Sequence, residues 1–167
     1  MNFYNIPIHE KSPNIVNAII EIEKGSSAKY EYDNEYDAFR FDRSLSSAMV
    51  YPANYGFIPN TMADDGDPLD ILTFNHLPIQ RGTLVEVQVL GVLDMWDGGE
   101  RDYKILGVPT CSVKRFRNLH DIDNIFLRIT RNFFNHYKDL ISTNVNVGEW
   151  EGKNAAYKII KDNIIKK

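Results

Sequence analysis

The segment LVEVQVLGVLDM, residues 84–95, sets Val85, Val87 and Val89 at alternate positions with Glu86 and Gln88 between them. Period-two alternation sends successive side chains to opposite faces of an extended chain, so this stretch reads as a strand with one apolar and one polar side. The same pattern extends outward. IVNAIIEIE (15–23), KYEYD (29–33), AFRFD (38–42), LDILTF (69–74) and KILGV (104–108) are short, rich in β-branched or aromatic residues, and bounded by turn formers. From Ile125 to Ile141 the period changes. Ile125, Ile129, Phe133 and Tyr137 recur every four positions, and Phe126, Leu140 and Ile141 widen the stripe, as in an amphipathic helix. A second helix is expected over 154–165. Strands followed by helices predict an α+β domain, most simply a small, mainly antiparallel barrel with two helices packed outside.

A length of 167 residues with 43% hydrophobic content suits one domain spanning 1–167, with no linker or repeat in view. Apolar runs such as IVNAII are too short to cross a membrane, and MNFYNIPIHEKSP lacks the apolar centre of a secretory signal. Cys111 is the single cysteine, so no intrachain disulfide forms, which fits a cytoplasmic location. The formal net charge of −4 argues against nucleic acid as a partner, because a basic surface supplies much of that affinity.

Residues 64–72, DDGDPLDIL, crowd four carboxylates against an apolar run. Two like charges about 4 Å apart repel by roughly 1 kcal/mol in water and roughly 4 kcal/mol near a protein surface. Asp65, Asp67 and Asp70 therefore share a small volume at a cost unless a cation sits among them. Gly66 permits a tight turn, and Pro68 pushes Asp67 towards an extended conformation, which gives the loop a defined shape. These residues alone fit either a turn entering a strand or a binding loop. They do not fit an EF-hand, because aligning Gly66 with that loop's required glycine puts Thr61 and Ala63 at the first and third ligand positions.

Polar residues in the strands share a phase. Lys29, Glu31 and Asp33 project to one face of KYEYD, opposite Tyr30 and Tyr32, and Asp102 and Lys104 repeat the arrangement in RDYK. Glu21 interrupts an apolar strand, Arg43 follows AFRFD, and Asp97 lies in MWDGGERD. Each alone reads equally well as a solvated strand face or a snorkelling strand end. Brought together they make seven carboxylates (Glu21, Glu31, Asp65, Asp67, Asp70, Asp97, Asp102) against four cations (Lys29, Arg43, Lys104, Lys138), an excess of three negative charges. A carboxylate surplus suits hard divalent ions, Mg2+ in particular, and the cations suit a phosphate anion. An acidic half beside a basic half is the layout of metal-assisted phosphoryl transfer.

DGDPLD with the preceding YPANYGFIP, the strand KYE, Asp42–Arg43, the DxxxxDxK pattern from Asp97 to Lys104, and FFNHYKDL together resemble the family I soluble inorganic pyrophosphatases, in order along nearly the whole chain. The resemblance implies a five-stranded OB-like barrel with two main flanking helices. It implies hydrolysis of inorganic diphosphate to two phosphates by direct attack of a metal-activated water, with several Mg2+ ions per site. Asp65, Asp70 and Asp102 would ligate the metal pair beside that water, with Asp67 as general base. Asp97 would hold a further ion with Asp102, and Glu21 and Glu31 would act mostly through metal-bound waters. Lys29, Arg43, Tyr55, Lys104, Tyr137 and Lys138 match residues that hold phosphate, and Tyr51 lines the same pocket. Without the resemblance, Tyr51, Tyr55 and Tyr137 read as core aromatics. A homo-oligomer is also implied, with a hexamer favoured and His136 near a subunit contact.

Two positions depart from the family pattern: Gly98 stands where a second acid usually follows the aspartate, and Asn146 where bacterial relatives often carry lysine. Cys111 lies in no motif and reads as structural. Two other classes remain as rivals. An OB-fold module stacking single-stranded nucleic acid is opposed by the acidic constellation. A passive Ca2+-binding domain does not need Lys29, Arg43, Lys104 and Lys138.

Overall fold

The computed structural model describes residues 2–112, 114–141 and 144–166. In chain order its strands are β1 (Ile15–Ile22), β2 (Ala28–Asp33), β3 (Ala38–Ser44), β4 (Asn54–Phe57), β5 (Asp70–Thr73), β6 (Leu84–Asp97), β7 (Glu100–Arg101), β8 (Lys104–Pro109) and β9 (Val145–Gly152). Its α-helices are α1 (Asn124–His136) and α2 (Lys153–Asn163). β6, which contains the alternating segment, is the hub and pairs with β1, β7, β8 and β9. β1 also pairs with β4, β4 with β5, and β5 with β8, so β1-β4-β5-β8-β6 closes into a ring of five strands. Every seam of the ring is antiparallel except β5–β8. The expected five-stranded barrel is therefore present, and closure leaves the ring no open edge. β2 and β3 form a separate hairpin.

Neighbouring residues along the central strands divide between two cores. Ile71, Val92 and Ile105 pack with Ala156 and Ile160 of α2, whereas Leu72, Leu93 and Leu106 pack with Phe133 and Phe134 of α1. With both faces covered, the alternation at Val85–Val89 gives way to the continuously buried Val89–Leu93. Each such side chain contributes about 1.5–3 kcal/mol by leaving water.

The helices differ from the periodic reading. Asp123 caps α1 by accepting the Ile125 N–H at 2.8 Å, and the helix stops at His136, so Tyr137 to Ile141 lie in turns beyond it. Ile125 and Ile129 are 63% and 52% exposed, and the buried side of α1 is Thr130, Phe133 and Phe134. The four-residue repeat thus follows a stripe that faces the core only at its C-terminal end. β4, β7 and β9 are strands that the sequence pattern does not predict. Among the described residues no helix is long and apolar enough to cross a membrane.

Candidate active site

Strand register brings the chemistry together. In the parallel pair β5–β8, Asp70 stands opposite Lys104. The buried Lys104 Nζ donates to Asp70 Oδ2 and Asp102 Oδ1, each at 2.5 Å, and to Tyr55 OH at 3.1 Å. Asp102, in the short link between β7 and β8, reaches the same ammonium from two residues before it. Burial opposes the charge on Lys104, but Asp70 and Asp102 outweigh it and hold the ammonium protonated well above the ordinary lysine range. Beneath it sit the rings of Tyr51, Tyr55, Phe133, Phe134 and Tyr137, with Tyr51 and Phe133 centroids 4.9 Å apart and Phe133 and Tyr137 5.3 Å apart. Burial pushes the phenols of Tyr51, Tyr55 and Tyr137 up, so each keeps its proton and can donate a hydrogen bond.

Two β-bulges aim further groups. Ile20 pairs with Gly56 and Ile22 with Tyr55, which leaves Glu21 as the extra residue of β1. Its buried carboxylate accepts the Tyr32 N–H at 2.7 Å. Burial raises the Glu21 pKa to about 8, with Asp70 and Glu31 adding to the rise. In the β2–β3 hairpin, Lys29 pairs with Arg43 but Tyr30 with Phe41, so Asp42 is the extra residue. Asp42 Oδ2 lies 3.2 Å from Lys29 Nζ and 3.1 Å from Arg43 Nη1, and Lys29 also contacts Glu31. Asp33 instead pairs with Arg40 at 2.9 Å, so it leaves the group with which it shares a strand face.

The acidic loop has the defined shape expected of it. Gly66 adopts φ +88, Ala63 N–H donates to Asp67 O at 2.7 Å, and Asp67 N–H donates to Asp65 Oδ1 at 3.0 Å. The Asp67 carboxyl is raised by partial burial, then by Asp65 and Glu31. Glu21, Lys29, Glu31, Tyr55, Asp67 and Asp70 line one cavity of about 130 Å3. Asp102 and Lys104 join it through Asp70, and Arg43 through Asp42 and Lys29. Asp97 pairs with Lys138, which lies 5.4 Å from the Tyr137 ring centroid. The Tyr137 phenol also feels Lys104, Asp102, Asp97 and Asp70.

The family model described as Inorganic pyrophosphatase matches residues 18–166. This chain belongs to the inorganic pyrophosphatase family. The inorganic pyrophosphatase of Geobacillus stearothermophilus is 44% identical over 150 residues, covering 89% of this chain and 91% of its own. That of Campylobacter jejuni is 43% identical over 166 residues, covering 96% of each. The crystal structure of inorganic pyrophosphatase from Thermus thermophilus superposes with a TM-score of 0.94 at 36% identity, covering 98% of this chain and 97% of that one.

Among the described residues, no three carboxylate, histidine or cysteine side chains of this pyrophosphatase family member converge as a ready set of metal ligands. Lys104 stands between Asp70 and Asp102, and Lys138 stands on Asp97. The donor chemistry nevertheless fits a hard divalent ion. The ligands on offer are all oxygen, and the carboxyls of Glu21, Asp67 and Asp102 are each displaced upward because burial and neighbouring carboxylates outweigh the cations nearby. Sequence reasoning gave Asp42 no role although the Asp–Arg pair was visible, and it missed Tyr4 and Tyr30 in the cavity wall. Bulges and the N-terminal turn leave no periodic trace.

Glu21 gives a pH prediction for the metal-free protein. Between its ordinary value of 4.5 and its folded value of about 8, the folded chain keeps a proton that the unfolded chain releases. Rising pH through that window favours unfolding. Glu21→Gln retains the oxygen that accepts the Tyr32 N–H but cannot ionise. Its melting temperature is expected to fall less than wild type's between pH 5 and pH 8, read by calorimetry in chelator. Equal slopes would show that Glu21 is ionised across the whole range.

Proposed function

We propose that this chain is a Mg2+-dependent inorganic diphosphatase, one domain across residues 1–167, acting in the cytoplasm as a homo-oligomer with a hexamer favoured. The observation that carries this reading is the acidic cavity of Glu21, Glu31, Asp67 and Asp70 set against the buried Lys104 and phenols that keep their protons. Asp65, Asp70, Asp97 and Asp102 would hold Mg2+, with Glu21 and Glu31 acting through its waters. Bound Mg2+ supplies Lewis acidity and lowers the pKa of coordinated water towards neutrality. Asp67 orients the attacking water and accepts its proton at the carboxylate. Lys29, Arg43, Lys104 and Lys138 neutralise phosphate charge as it develops on the leaving group, and Tyr51, Tyr55 and Tyr137 line the anion side, with Tyr55 and Tyr137 donating from neutral hydroxyls. The exposed Ile125, Ile129, Leu140 and Ile141 support a face that another copy covers.

Phosphate release from diphosphate is the test. Purified protein is expected to release phosphate with Mg2+ and to stop in excess chelator. Release that is indifferent to chelator, or absent at saturating Mg2+, would falsify the reading.

Gly98 offers a finer check. Gly98 and Gly99 take φ +60 and +89 in the two-residue turn between β6 and β7, where both positions need left-handed backbone. A Cβ on Gly98 meets nothing within 4 Å, so only the backbone opposes a side chain there. Aspartate and asparagine tolerate this conformation best. Gly98→Asp is expected to lower the Mg2+ concentration for half-maximal activity while turnover at saturation stays within about threefold, a barrier change under ~1 kcal/mol. Gly98→Asn controls for strain. Equal Mg2+ curves for the two variants would mean that charge at position 98 does not reach the ions.

A further inference from the structure

Tyr4 enters the cavity wall from an N-terminal turn, Phe3–Asn5, that belongs to no strand of the barrel. The turn is pinned from several sides. Asn2 Oδ1 accepts the Tyr4 N–H at 2.9 Å, Phe3 N–H donates to Tyr32 OH at 3.1 Å, and Asn60 N–H donates to Tyr4 O at 3.1 Å. Asn60 Nδ2 further donates to Ile6 O at 2.6 Å. The Tyr4 ring packs edge-on against Tyr32 and Phe57, with centroids 5.3 and 5.1 Å away. Backbone and ring are thus both fixed, and a hydroxyl on such a ring has a set position.

That ring borders two spaces. Tyr4, Glu31, Tyr32 and Asp67 line both the 130 Å3 cavity and an adjoining groove of about 570 Å3. Burial first, and then the charges of Asp67, Glu21 and Glu31 on the same cavity wall, push the phenol's pKa up and keep it a neutral donor. Of these three, only the Asp67 carboxylate has no hydrogen-bond or ion-pair partner among the described residues. Glu21 already accepts the Tyr32 N–H, and Glu31 is paired with Lys29. The Asp67 carboxylate enters no ion pair among the described residues, unlike Asp70, Asp97 and Asp102. The loop fixes the backbone of Asp67 through Ala63 and Asp65, and neither of these bonds holds its carboxylate.

We propose that Tyr4 is a positioning residue, whose hydroxyl, fixed by the N-terminal turn, orients the Asp67 carboxylate towards the cavity. This rests on the reading of Asp67 as general base. A hydroxyl that sets the angle of the base acts on the chemical step and leaves the groups that hold phosphate untouched, so its effect falls on kcat and not on KM.

A double-mutant cycle tests it, with Tyr4→Phe, Asp67→Asn and the double variant assayed for phosphate release from diphosphate at saturating Mg2+. Tyr4→Phe keeps the ring and its packing. It is expected to retain the wild-type melting temperature and a KM within about twofold, and to lose about 3–10-fold in kcat, the kinetic equivalent of one hydrogen bond. In the Asp67→Asn background, Tyr4→Phe is expected to change kcat by less than about 1.5-fold, because the group it positions is gone. An unchanged kcat in Tyr4→Phe, or the same loss in both backgrounds, overturns the proposal. Asp67→Asn alone separates the two ideas: near-wild-type activity there sinks the base, whereas a crippled Asp67→Asn with an additive Tyr4→Phe sinks only the positioning role.

Discussion

Asp67→Asn is expected to stay folded and to lose about 10²–10⁴ in turnover, the range for removing a general base. Asp67 has no ion pair among the described residues, and its loop is held by the Ala63 and Asp67 backbone bonds and by Gly66 in its left-handed conformation. Partial burial, Asp65 and Glu31 all act against its charge. A neutral amide of the same shape relieves that repulsion, so the melting temperature of the metal-free variant is expected to equal or exceed that of wild type. Stability and activity then move in opposite directions, which is the mark of a group kept for chemistry. Phosphate release and a thermal melt on the same preparation read both. A variant keeping more than half the activity removes Asp67 from the role.

The strands that can be read from sequence are those whose own residues carry an alternation or a short apolar run. Val85, Val87 and Val89 alternate because Glu86 and Gln88 remain at or near the solvent, and β8 was found as a short apolar run. β4 carries Asn54 and Gly56 between Pro52 and Pro59, a composition with weak strand preference, and it is a strand because β1 and β5 flank it. β9 likewise gains its form from pairing with β6. On α1 the stripe that includes Ile125 and Ile129 looked like a core face, yet those side chains are exposed, because periodicity reports that a face is apolar and not what covers it.

Site composition was legible and site geometry was not. Asp65, Asp67 and Asp70 announced themselves by crowding, and the Lys29–Glu31 contact follows from strand phase. Glu21 and Asp42 owe their aim to bulges, each of which breaks the very alternation that a sequence reading relies on. The position of Lys104 between Asp70 and Asp102 depends on a parallel register between segments more than thirty residues apart, as the Asp70–Lys104 bond shows.

That lysine carries the second large expected effect. Lys104→Met preserves most of the stem volume but removes the cation that, among the described residues, touches both Asp70 and Asp102 in a largely buried setting. Breaking such a group by deleting one partner costs about 3–5 kcal/mol, because the charges left behind are uncompensated. For a chain of this size that corresponds to a melting temperature lower by roughly 6–20 °C in the metal-free protein. The deficit is expected to depend on pH. In wild type, burial already raises the Asp102 carboxyl while Lys104 opposes the rise, so without the ammonium one of the two acids holds its proton to higher pH. A folded-state pKa raised above the unfolded value means stability that is present at low pH and lost as pH rises through it. Lys104→Met should therefore melt closer to wild type at pH 5 than at pH 8. Mg2+ should act in the same direction as protons. If Asp70 and Asp102 are ligands, removing the ammonium between them frees their oxygens, and saturating Mg2+ is expected to restore more stability to Lys104→Met than it adds to wild type. Calorimetry at both pH values, with chelator and with Mg2+, measures all four terms. A deficit that ignores both pH and Mg2+ would mean that Lys104 fills space at this point and does not neutralise the pair.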